Sequence, residues 1–310
     1  MLYVTAEEVA KLLPYEECIS LMREAMIALS AGRTRQLLRT ILDLPEGRAF
    51  GSMLGAMLDD GVFGAKLVSV YPDNFDRGGP SHQGVVVLFD AADGAPSAIL
   101  EAGEITAIRT AAASAAATDA LARPEAASLA ILGYGEQARR HVAAIRCVRD
   151  IARLTVWGRS PEKAAAFAEA HGGTACASVE EAVAAADIIC TVSAARDPIL
   201  MSDWVPDGAH VNAVGSSRAG PSEIDVALVA RARFFADHEE GVRAQGAEYL
   251  YALDSGAIGE DHLLGEIGAV MAGTIEGRRA ASDVTIYKSL GSIVQDLASA
   301  RHIVSRLRGR

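Results

Sequence analysis

The spacing of apolar residues divides the chain into regions that predict different elements. Over residues 5–31, "TAEEVAKLLPYEECISLMREAMIALSA", apolar positions recur at helical spacing and Pro14 interrupts them. Thr5 suits an N-cap and Gly32 a C-cap, so we predict two short helices broken near Pro14. Residues 39–90 carry short runs of β-formers separated by turn residues, which predicts an antiparallel or mixed sheet from "RTILDLP", "GRAFGSMLGAML", "GAKLVSVYP" and "GVVVLFDAADG".

The second half of the chain has an alternating pattern. A long alanine-rich helix is predicted from near Glu104, and between residues 126 and 238 strands alternate with helices. The predicted strands are "ASLAILG", "RLTVWG", "GGTACAS", "DIICTVS", "GAHVNAVG" and "ARFFADH". Such alternation indicates βαβ units in a parallel sheet. We predict a further helix in "HLLGEIGAVMAGTIEGR", then a strand in "VTIYKSLG" and a final helix in "SIVQDLASARHIVSRL".

Composition and charge narrow the class of protein. The 310 residues suffice for two domains, and half of them are apolar. The formal net charge of -11 argues against nucleic acid or an anionic membrane as a partner. Neither a secretory signal nor a membrane-spanning apolar run is visible. The four cysteines are scattered, which gives no zinc pattern and fits a reducing compartment, so we expect a cytoplasmic protein without a metal.

A glycine loop predicts a dinucleotide site. In "LAILGYGEQA", residues 129–138, Gly133 permits a tight turn, Gly135 lets the backbone approach a pyrophosphate, and Ala138 is small enough for helix packing. Glycines follow many strands, but here a buried strand precedes the loop, a helix follows it, and further βαβ units come after. We therefore predict that the loop binds a nicotinamide dinucleotide.

The loop after the next strand bears on the choice of cofactor. An acid there would bind the ribose 2′-hydroxyl of NAD, whereas this chain has Gly158, Arg159 and Ser160. A guanidinium and a hydroxyl can bind a 2′-phosphate, which favours NADP. The alternative is a surface arginine beside a serine that caps the helix beginning at Pro161, and Ser160 can serve both purposes.

Several polar residues are candidates for substrate chemistry. Arg39, Lys66 and Arg109 lie in otherwise apolar segments, where a cation needs a partner. Each is explained equally well by an internal salt bridge, but three together suggest that they bind a substrate carboxylate. His82, in "PSHQG", is either structural or a proton donor. Ser216 and Ser217 follow the fifth parallel strand, at the sheet edge where ligands bind. No serine-hydrolase elbow, zinc-protease motif or P-loop lysine is present.

Taken together, the motifs resemble those of the ornithine cyclodeaminase and μ-crystallin family. The similarity runs along nearly the whole chain, through "AKLVSVYPDN", "PSHQ", "AIRTAAASAAAT", "LGYGEQA", "TVWGRS", "HVNAVGSS", "LGEIGAVMAG" and "YKSLGSIVQD". It implies an α/β fold with a Rossmann-type doubly wound parallel sheet inserted in a smaller α+β dimerisation and substrate domain. The expected limits are 1–115 plus 287–310 for the substrate domain and 116–286 for the NAD(P) domain. It also implies a homodimer.

The resemblance also implies a set of site residues. Substrate contacts are expected from Arg39, Met53, Lys66, Arg109 and Ser217, with Leu54 and Tyr71 beside Met53 shaping specificity, and catalytic roles from Lys66, Arg109 and His82. Cofactor contacts are expected from the glycine loop, from the loop at residues 158–160 (the ribose loop) and from the carboxyl ends of later strands. These cofactor positions are Thr110, Gly133, Tyr134, Gly135, Glu136, Gln137, Gly158, Arg159, Ser160, Thr191, Val192, Ser193, Val214, Gly215, Ser216 and Ser289.

Two departures separate the branches of the family. The cyclodeaminase branch has an aspartate where this chain has Ser217, and an acid after the second strand, where this chain has Gly158, Arg159 and Ser160. The sequence is closer to the ketimine reductases, so we predict reduction of a small α-imino acid by NADPH, with NAD possible, or a related amino-acid dehydrogenase. The proton would come from Lys66 or from a water positioned by His82. Alternatives are an NAD-dependent ornithine cyclodeaminase and a protein that binds NADPH and a small ligand without turnover.

Overall fold

The chain forms two compact units. The computed structural model describes residues 1–77, 79 and 82–309, with the side chains of all of these except 75–77 and 82. One unit contains residues 1–109 and 292–310, and the other contains residues 110–291. The boundaries expected from the sequence, at residues 115 and 286, lie a few residues away from these. The assignment of a substrate role to one unit and a cofactor role to the other stays a prediction.

The first unit is built on a seven-stranded mixed sheet. Its strands follow the order β1-β7-β6-β5-β4-β2, and β3 also pairs with β4. Among the described residues of this sheet, β1 and β7 are the one pair of strands that run in parallel. The strands are β1 (Leu2–Val4), β2 (Thr34–Gln36), β3 (Thr40–Leu44), β4 (Arg48–Met57), β5 (Val62–Val70), β6 (His82–Asp90) and β7 (Pro96–Glu101). The predicted mixed sheet is thus confirmed, although the sequence did not predict β1, β2 or β7.

The helices of this unit are α1 (Ala6–Leu12), α2 (Tyr15–Ser30), the first part of α3 (Ala102–Leu121) and α11 (Ile293–Arg308). The predicted break near Pro14 and the Thr5 N-cap are confirmed, since Thr5 and Glu8 form a capping box. Gly55 allows α11 to approach the sheet closely, because a Cβ there would lie 2.5 Å from Ile293 Cγ2. This approach fixes the first turn of α11 against β4.

The second unit has an eight-stranded parallel sheet in the order β10-β9-β8-β11-β12-β15-β13-β14. The strands are β8 (Ser128–Leu132), β9 (Arg153–Trp157), β10 (Thr174–Ala175), β11 (Ile188–Thr191), β12 (His210–Ala213), β13 (Arg233–Ala236), β14 (Leu263–Glu266) and β15 (Thr285–Lys288). Every residue of β11, β12 and β15 is buried, as expected for strands covered on both faces. The order of β10 to β12 around β8 is the doubly wound arrangement that the alternating sequence predicted.

Helices connect these strands, namely the rest of α3, α4 (Glu136–Arg146), α5 (Pro161–His171), α6 (Val179–Val183), α7 (Val226–Arg231), α8 (Glu239–Gln245), α9 (Ala247–Asp254) and α10 (Ile267–Met271). One prediction here was wrong: the helix expected from "HLLGEIGAVMAGTIEGR" is strand β14 followed by the short α10. Gly265 has φ +132°, a conformation foreign to a helix, and Leu263 pairs with Phe234 in the sheet. Tertiary pairing therefore overrode the local helical pattern.

Two properties of the described residues concern membranes and metal ions. None of the helices in that part of the chain has the length and apolar character needed to cross a membrane. The same residues contain no group of three or more His, Cys, Asp or Glu side chains arranged to hold a metal ion.

Candidate active site

Two of the predicted cations meet in the interior of the first unit. Lys66 comes from β5, Arg109 from the first part of α3, and both contact Asp296 in the first turn of α11. Lys66 Nζ lies 3.1 Å from Asp296 Oδ1, and Arg109 Nε lies 3.0 Å from the same oxygen. The two cationic side chains are 4% exposed and the carboxylate is fully buried. One buried carboxylate oxygen therefore links two buried cations.

The neighbours of this cluster complete its geometry. Lys66 Nζ also donates to Thr106 Oγ1 at 2.6 Å, and Arg109 donates from a terminal nitrogen to Gln295 Oε1 at 2.8 Å. Met53 pairs directly with Lys66 in the β4–β5 register and is buried, so its side chain lies on the same face of the sheet. The Lys66–Asp296–Arg109 cluster is thus bordered by the apolar side chain of Met53 and by the polar side chains of Thr106 and Gln295.

The electrostatics of the cluster favour a lysine that titrates near neutral pH. Burial, together with the nearby charges of Arg109 and Arg39, lowers the pKa of Lys66 to about 8, although Asp296 opposes the shift. Burial by itself would raise the pKa of Asp296, but Arg109 and Lys66 together hold it below its ordinary value. Asp296 is therefore ionised at neutral pH, and Lys66 is poised to give up a proton.

The cluster also has unused hydrogen-bonding capacity. Asp296 Oδ2 and Gln295 Nε2 have no hydrogen-bond partner among the described residues, although both atoms are buried. Buried polar atoms are normally paired, so such atoms mark a place where a ligand can bond. Two buried cations contact one carboxylate, so the cluster itself has an excess of positive charge that is suited to an anion.

The remaining substrate candidates are distributed differently. Arg39 is half-buried directly before β3, and Tyr71, half-buried, directly follows β5. Leu54 pairs with Ala65 and is 45% exposed, so by strand alternation it lies on the opposite face from Met53. Leu54 therefore lies on the other sheet face from Lys66, and its role in specificity stays a prediction that this placement does not support. His82 begins β6, but its side chain lies outside the described residues, and its proposed role stays a prediction.

In the second unit, the glycine loop has the geometry needed for a phosphate. Gly133 has φ +138°, and a Cβ there would lie 2.8 Å from the carbonyl oxygen of Val192. A Cβ on Gly135 would have no heavy atom within 4 Å among the described residues, so space is open beside its backbone. Gly135 is also the N-cap of α4, whose first-turn N–H groups are suited to an anion. These residues fit the pyrophosphate of a dinucleotide.

The ribose loop shows which role Ser160 takes. Its hydroxyl oxygen accepts from the Lys163 N–H at 3.3 Å and donates to Glu162 Oε2 at 2.8 Å. The capping alternative for Ser160 is thus what the structure shows. Arg159 is exposed beside it, while Gly158 is buried, and a Cβ on Gly158 would lie 2.2 Å from the Tyr134 ring. Tyr134 therefore covers Gly158 and leaves Arg159 as the cation of this loop.

The other predicted cofactor residues gather at the carboxyl edge of the parallel sheet. Thr191 ends β11, and β12 and β15 lead into the loops at residues 214–217 and 289. Thr110 is buried in α3, and Ser217 is half-buried after β12. The positions at the strand ends are Thr191, Val192, Ser193, Val214, Gly215, Ser216 and Ser289.

The sequence analysis missed Asp296 and Gln295. Asp296 lies 230 positions from Lys66, and one sequence gives no sign of such a distant pairing. A signal was nevertheless present, because both residues are polar within the apolar pattern "SIVQDLASA" at the start of a helix. The argument that singled out Lys66 and Arg109, a charge in an apolar element, applies equally to Asp296.

Comparison with known proteins identifies the family. A model of the ornithine cyclodeaminase/mu-crystallin family matches residues 1–310. The chain belongs to this family. It is similar to the ketimine reductase mu-crystallin of Mus musculus, with 36% identity over 87% of this chain and 84% of the relative. It is 32% identical to a Delta(1)-pyrroline-2-carboxylate reductase of Bacillus cereus, over 99% of this chain and 96% of that one.

Solved structures of the family share the fold over their full length. The Delta(1)-pyrroline-2-carboxylate reductase of Thermococcus litoralis, in complex with NADH and L-proline, superposes with a TM-score of 0.96 at 30% identity, covering 100% of this chain and 98% of that one. An archaeal alanine dehydrogenase dimer with bound NAD gives a TM-score of 0.93 at 29% identity, covering 100% and 96%. The predicted fold class is therefore confirmed.

Proposed function

We propose that this family member is an NAD(P)H-dependent reductase of small α-imino acids. Its substrates are cyclic ketimines such as Δ1-pyrroline-2-carboxylate and Δ1-piperideine-2-carboxylate, or linear imino acids, with amino-acid dehydrogenation as the reverse reaction. The observation that carries the proposal is the Lys66–Asp296–Arg109 cluster, which combines an excess of positive charge with a lysine whose pKa is about 8. The similarity to proteins named as ketimine and pyrroline-2-carboxylate reductases supports the same chemistry.

Each residue of the cluster has a chemical task in this proposal. Arg109, with Arg39, binds the substrate carboxylate, since a guanidinium pairs well with a planar anion. Gln295 Nε2 supplies a further donor for the bound substrate. Lys66 protonates the imine nitrogen, which makes the adjacent carbon electrophilic, and it recovers its proton from solvent. Met53 packs against the apolar part of the substrate. A bound reduced nicotinamide supplies the hydride for that carbon.

The coenzyme binds at the glycine loop and the sheet edge of the second unit. We further propose a preference for NADPH over NADH, supported by the exposed Arg159 in the ribose loop and by the absence of an acid at residues 158–160. Glu162 opposes this preference, because its carboxylate bonds to Ser160 in the same loop. The preference is therefore expected to be moderate, and NADH remains usable.

A homodimer is the proposed assembly. The face of the first sheet turned away from α11 exposes large apolar side chains, including Phe50, Leu54 and Phe63. Phe63 also stacks on Phe89, with ring centroids 5.4 Å apart. A second copy of the chain is the natural occupant of such a face, and the archaeal alanine dehydrogenase similar to this chain is a dimer. A cytoplasmic location stays a prediction from the scattered cysteines.

One assay distinguishes the candidate functions. NADPH and NADH oxidation are followed at 340 nm with Δ1-pyrroline-2-carboxylate, Δ1-piperideine-2-carboxylate, and pyruvate with methylamine or ammonia. Turnover with at least one imine, lost in Lys66→Met, is expected. Stoichiometric proline and ammonia from ornithine with catalytic NAD would instead establish the cyclodeaminase, which we do not expect because Ser217 cannot neutralise the distal ammonium. Tight NADPH binding with no turnover on any substrate would leave only the binding protein.

A further inference from the structure

A second buried charged network lies in the 110–291 unit, apart from the residues given roles above. Lys288, the last residue of β15, and Glu248, in the first turn of α9, are both fully buried, with Nζ and Oε2 2.7 Å apart. Glu223, which lies between β12 and α7, has no exposed surface either. The main-chain N–H of Glu223 donates to Glu248 Oε1 at 3.3 Å, so the three residues form one connected network.

The network bonds to the loops at the carboxyl edge of the sheet. Lys288 Nζ donates to the carbonyl oxygen of Ser216 at 2.6 Å and to its hydroxyl at 3.2 Å. Glu223 Oε1 accepts from the main-chain N–H and the hydroxyl of Ser193, each at 2.7 Å, and Oε2 accepts from the Gly215 N–H at 2.7 Å. The loops after β11 and β12 are thus both tied to one carboxylate.

Gly215 shows how tightly the loops are drawn together. A Cβ at this position would lie 2.2 Å from the carbonyl oxygen of Ser193 and 2.5 Å from Glu223 Oε1. The Gly215 N–H points inward to Glu223 and is therefore not available to a ligand. The contribution of this loop to a ligand must come from its other groups, in the conformation that Glu223 imposes.

Buried charges are a costly way to stabilise a fold. A buried ion pair often contributes less to stability than apolar side chains of the same volume would, so stability alone does not explain three buried charged residues. Their hydrogen bonds end on the loops at residues 193 and 215–216 rather than within the core. This placement indicates that the network fixes the loops.

We infer that Glu223 and the Glu248–Lys288 pair are positioning residues that hold the loops at residues 193 and 215–216 in the conformation that receives the nicotinamide dinucleotide. The inference rests on the proposed function, which places the coenzyme at this sheet edge. None of the three side chains needs to contact the coenzyme. They act by presenting the two loops in a fixed arrangement, which lowers the conformational cost of binding.

The first test does not depend on the coenzyme. Amide hydrogen exchange of the coenzyme-free protein reports on Ser193, whose N–H is bonded to Glu223, and on Gly215, whose N–H is shared between Glu223 and the carbonyl oxygen of Thr191 at 3.0 Å. Strong protection of both amides is expected in the wild type; in Glu223→Gln the protection of Ser193 should be lost, and that of Gly215 should fall less. Rapid exchange of these amides in the wild type would overturn the inference, whatever the protein catalyses.

The second test measures NADH and NADPH affinity by fluorescence titration. In Glu223→Gln the amide NH₂ must face an N–H donor of one of the two loops, so the loops should shift. We expect the coenzyme to bind at least about tenfold more weakly, a loss of about 1.4 kcal/mol. The double variant Glu248→Gln with Lys288→Met removes both charges of the buried pair, so neither is left buried without its partner. We expect this variant to fold and to show a similar loss of coenzyme affinity. Raised KM for the coenzyme and lower kcat should accompany it.

Asp187→Asn is the matched control. Asp187 accepts from the N–H groups of Ala127 and Ser128, each at 3.0 Å, and pairs with Arg123. It therefore holds the amino ends of β8 and β11 together, at the edge of the sheet opposite to the loops that Glu223 holds. We expect a lower Tm but coenzyme affinity within twofold of the wild type. Folded Glu223 and double variants that bind the coenzyme within twofold of the wild type would refute the inference. A wild type that binds neither coenzyme would refute the proposed function instead.

Discussion

Replacing Asp296 with asparagine separates the charge of this residue from its shape. Asparagine keeps an oxygen that can accept from Lys66 and Arg109, but it removes the negative charge 3.1 Å from Lys66 Nζ. At an effective dielectric constant of about 20, that attraction is about 5 kcal/mol, or about 4 pKa units. Since the pKa of Lys66 is about 8 with Asp296 in place, the substitution should take it well below 7.

The assay is the pH dependence of kcat/KM for Δ1-pyrroline-2-carboxylate, which reports the ionisations of the free enzyme. Lys66 must be protonated to act as the donor, so wild-type kcat/KM should fall as the pH rises through about 8. In Asp296→Asn this fall should move to lower pH by about two units or more. At pH 7.5 we expect at least about a tenfold loss, which is recovered on acidification.

The comparison is internally controlled. The substrate's own protonation is the same for both enzymes and cancels in the ratio of variant to wild type. Lys66→Met should lose activity at every pH and show no recovery in acid. If the alkaline fall stays near pH 8 in Asp296→Asn, or if Lys66→Met keeps the wild-type profile, Lys66 is not the proton donor and the water positioned by His82 becomes the better hypothesis.

Four further predictions follow from the structure. The pKa of Lys66 falls from 10.5 to about 8 on folding, so the unfolded chain binds more protons than the folded protein between these two pH values. The wild-type free energy of unfolding, measured in denaturant titrations, should therefore rise from pH 7 to 10.5 by up to about 3 kcal/mol relative to that of Lys66→Met. Gly55→Val should cost about 1–3 kcal/mol of stability and raise the KM of the imine, because its side chain must displace α11. Arg159→Leu should weaken NADPH binding up to about tenfold and spare NADH, whereas Glu162→Gln should strengthen NADPH binding, both by fluorescence titration. Leu54→Glu should convert the proposed homodimer to a monomer in light scattering, and an unchanged mass would show that the sheet face turned away from α11 is not the interface.

Local physics made a large part of this protein predictable from its sequence. The capping box at Thr5, the break at Pro14 and the strands of the parallel sheet other than β14 depend on neighbouring residues, so one sequence contains what determines them. The glycine loop was predictable for the same reason. Glycine is the residue that readily adopts the positive φ found at Gly133, and its lack of a side chain leaves open space beside the backbone at Gly135. The family motifs added the expectation of a carboxylate site at Arg39, Lys66 and Arg109.

Tertiary structure decided what depends on distant pairing. Strands β1 and β2 are three-residue edge strands, and β7 lies between β6 and β1, a strand more than ninety positions away along the chain. Strand β14 forms despite a helical local pattern because β13 lies beside it. The cluster around Asp296 was hidden for the same reason, since its members lie 187 and 230 positions from Asp296 along the chain. A single sequence shows that a buried charge needs a partner, but only folding determines which residue that partner is.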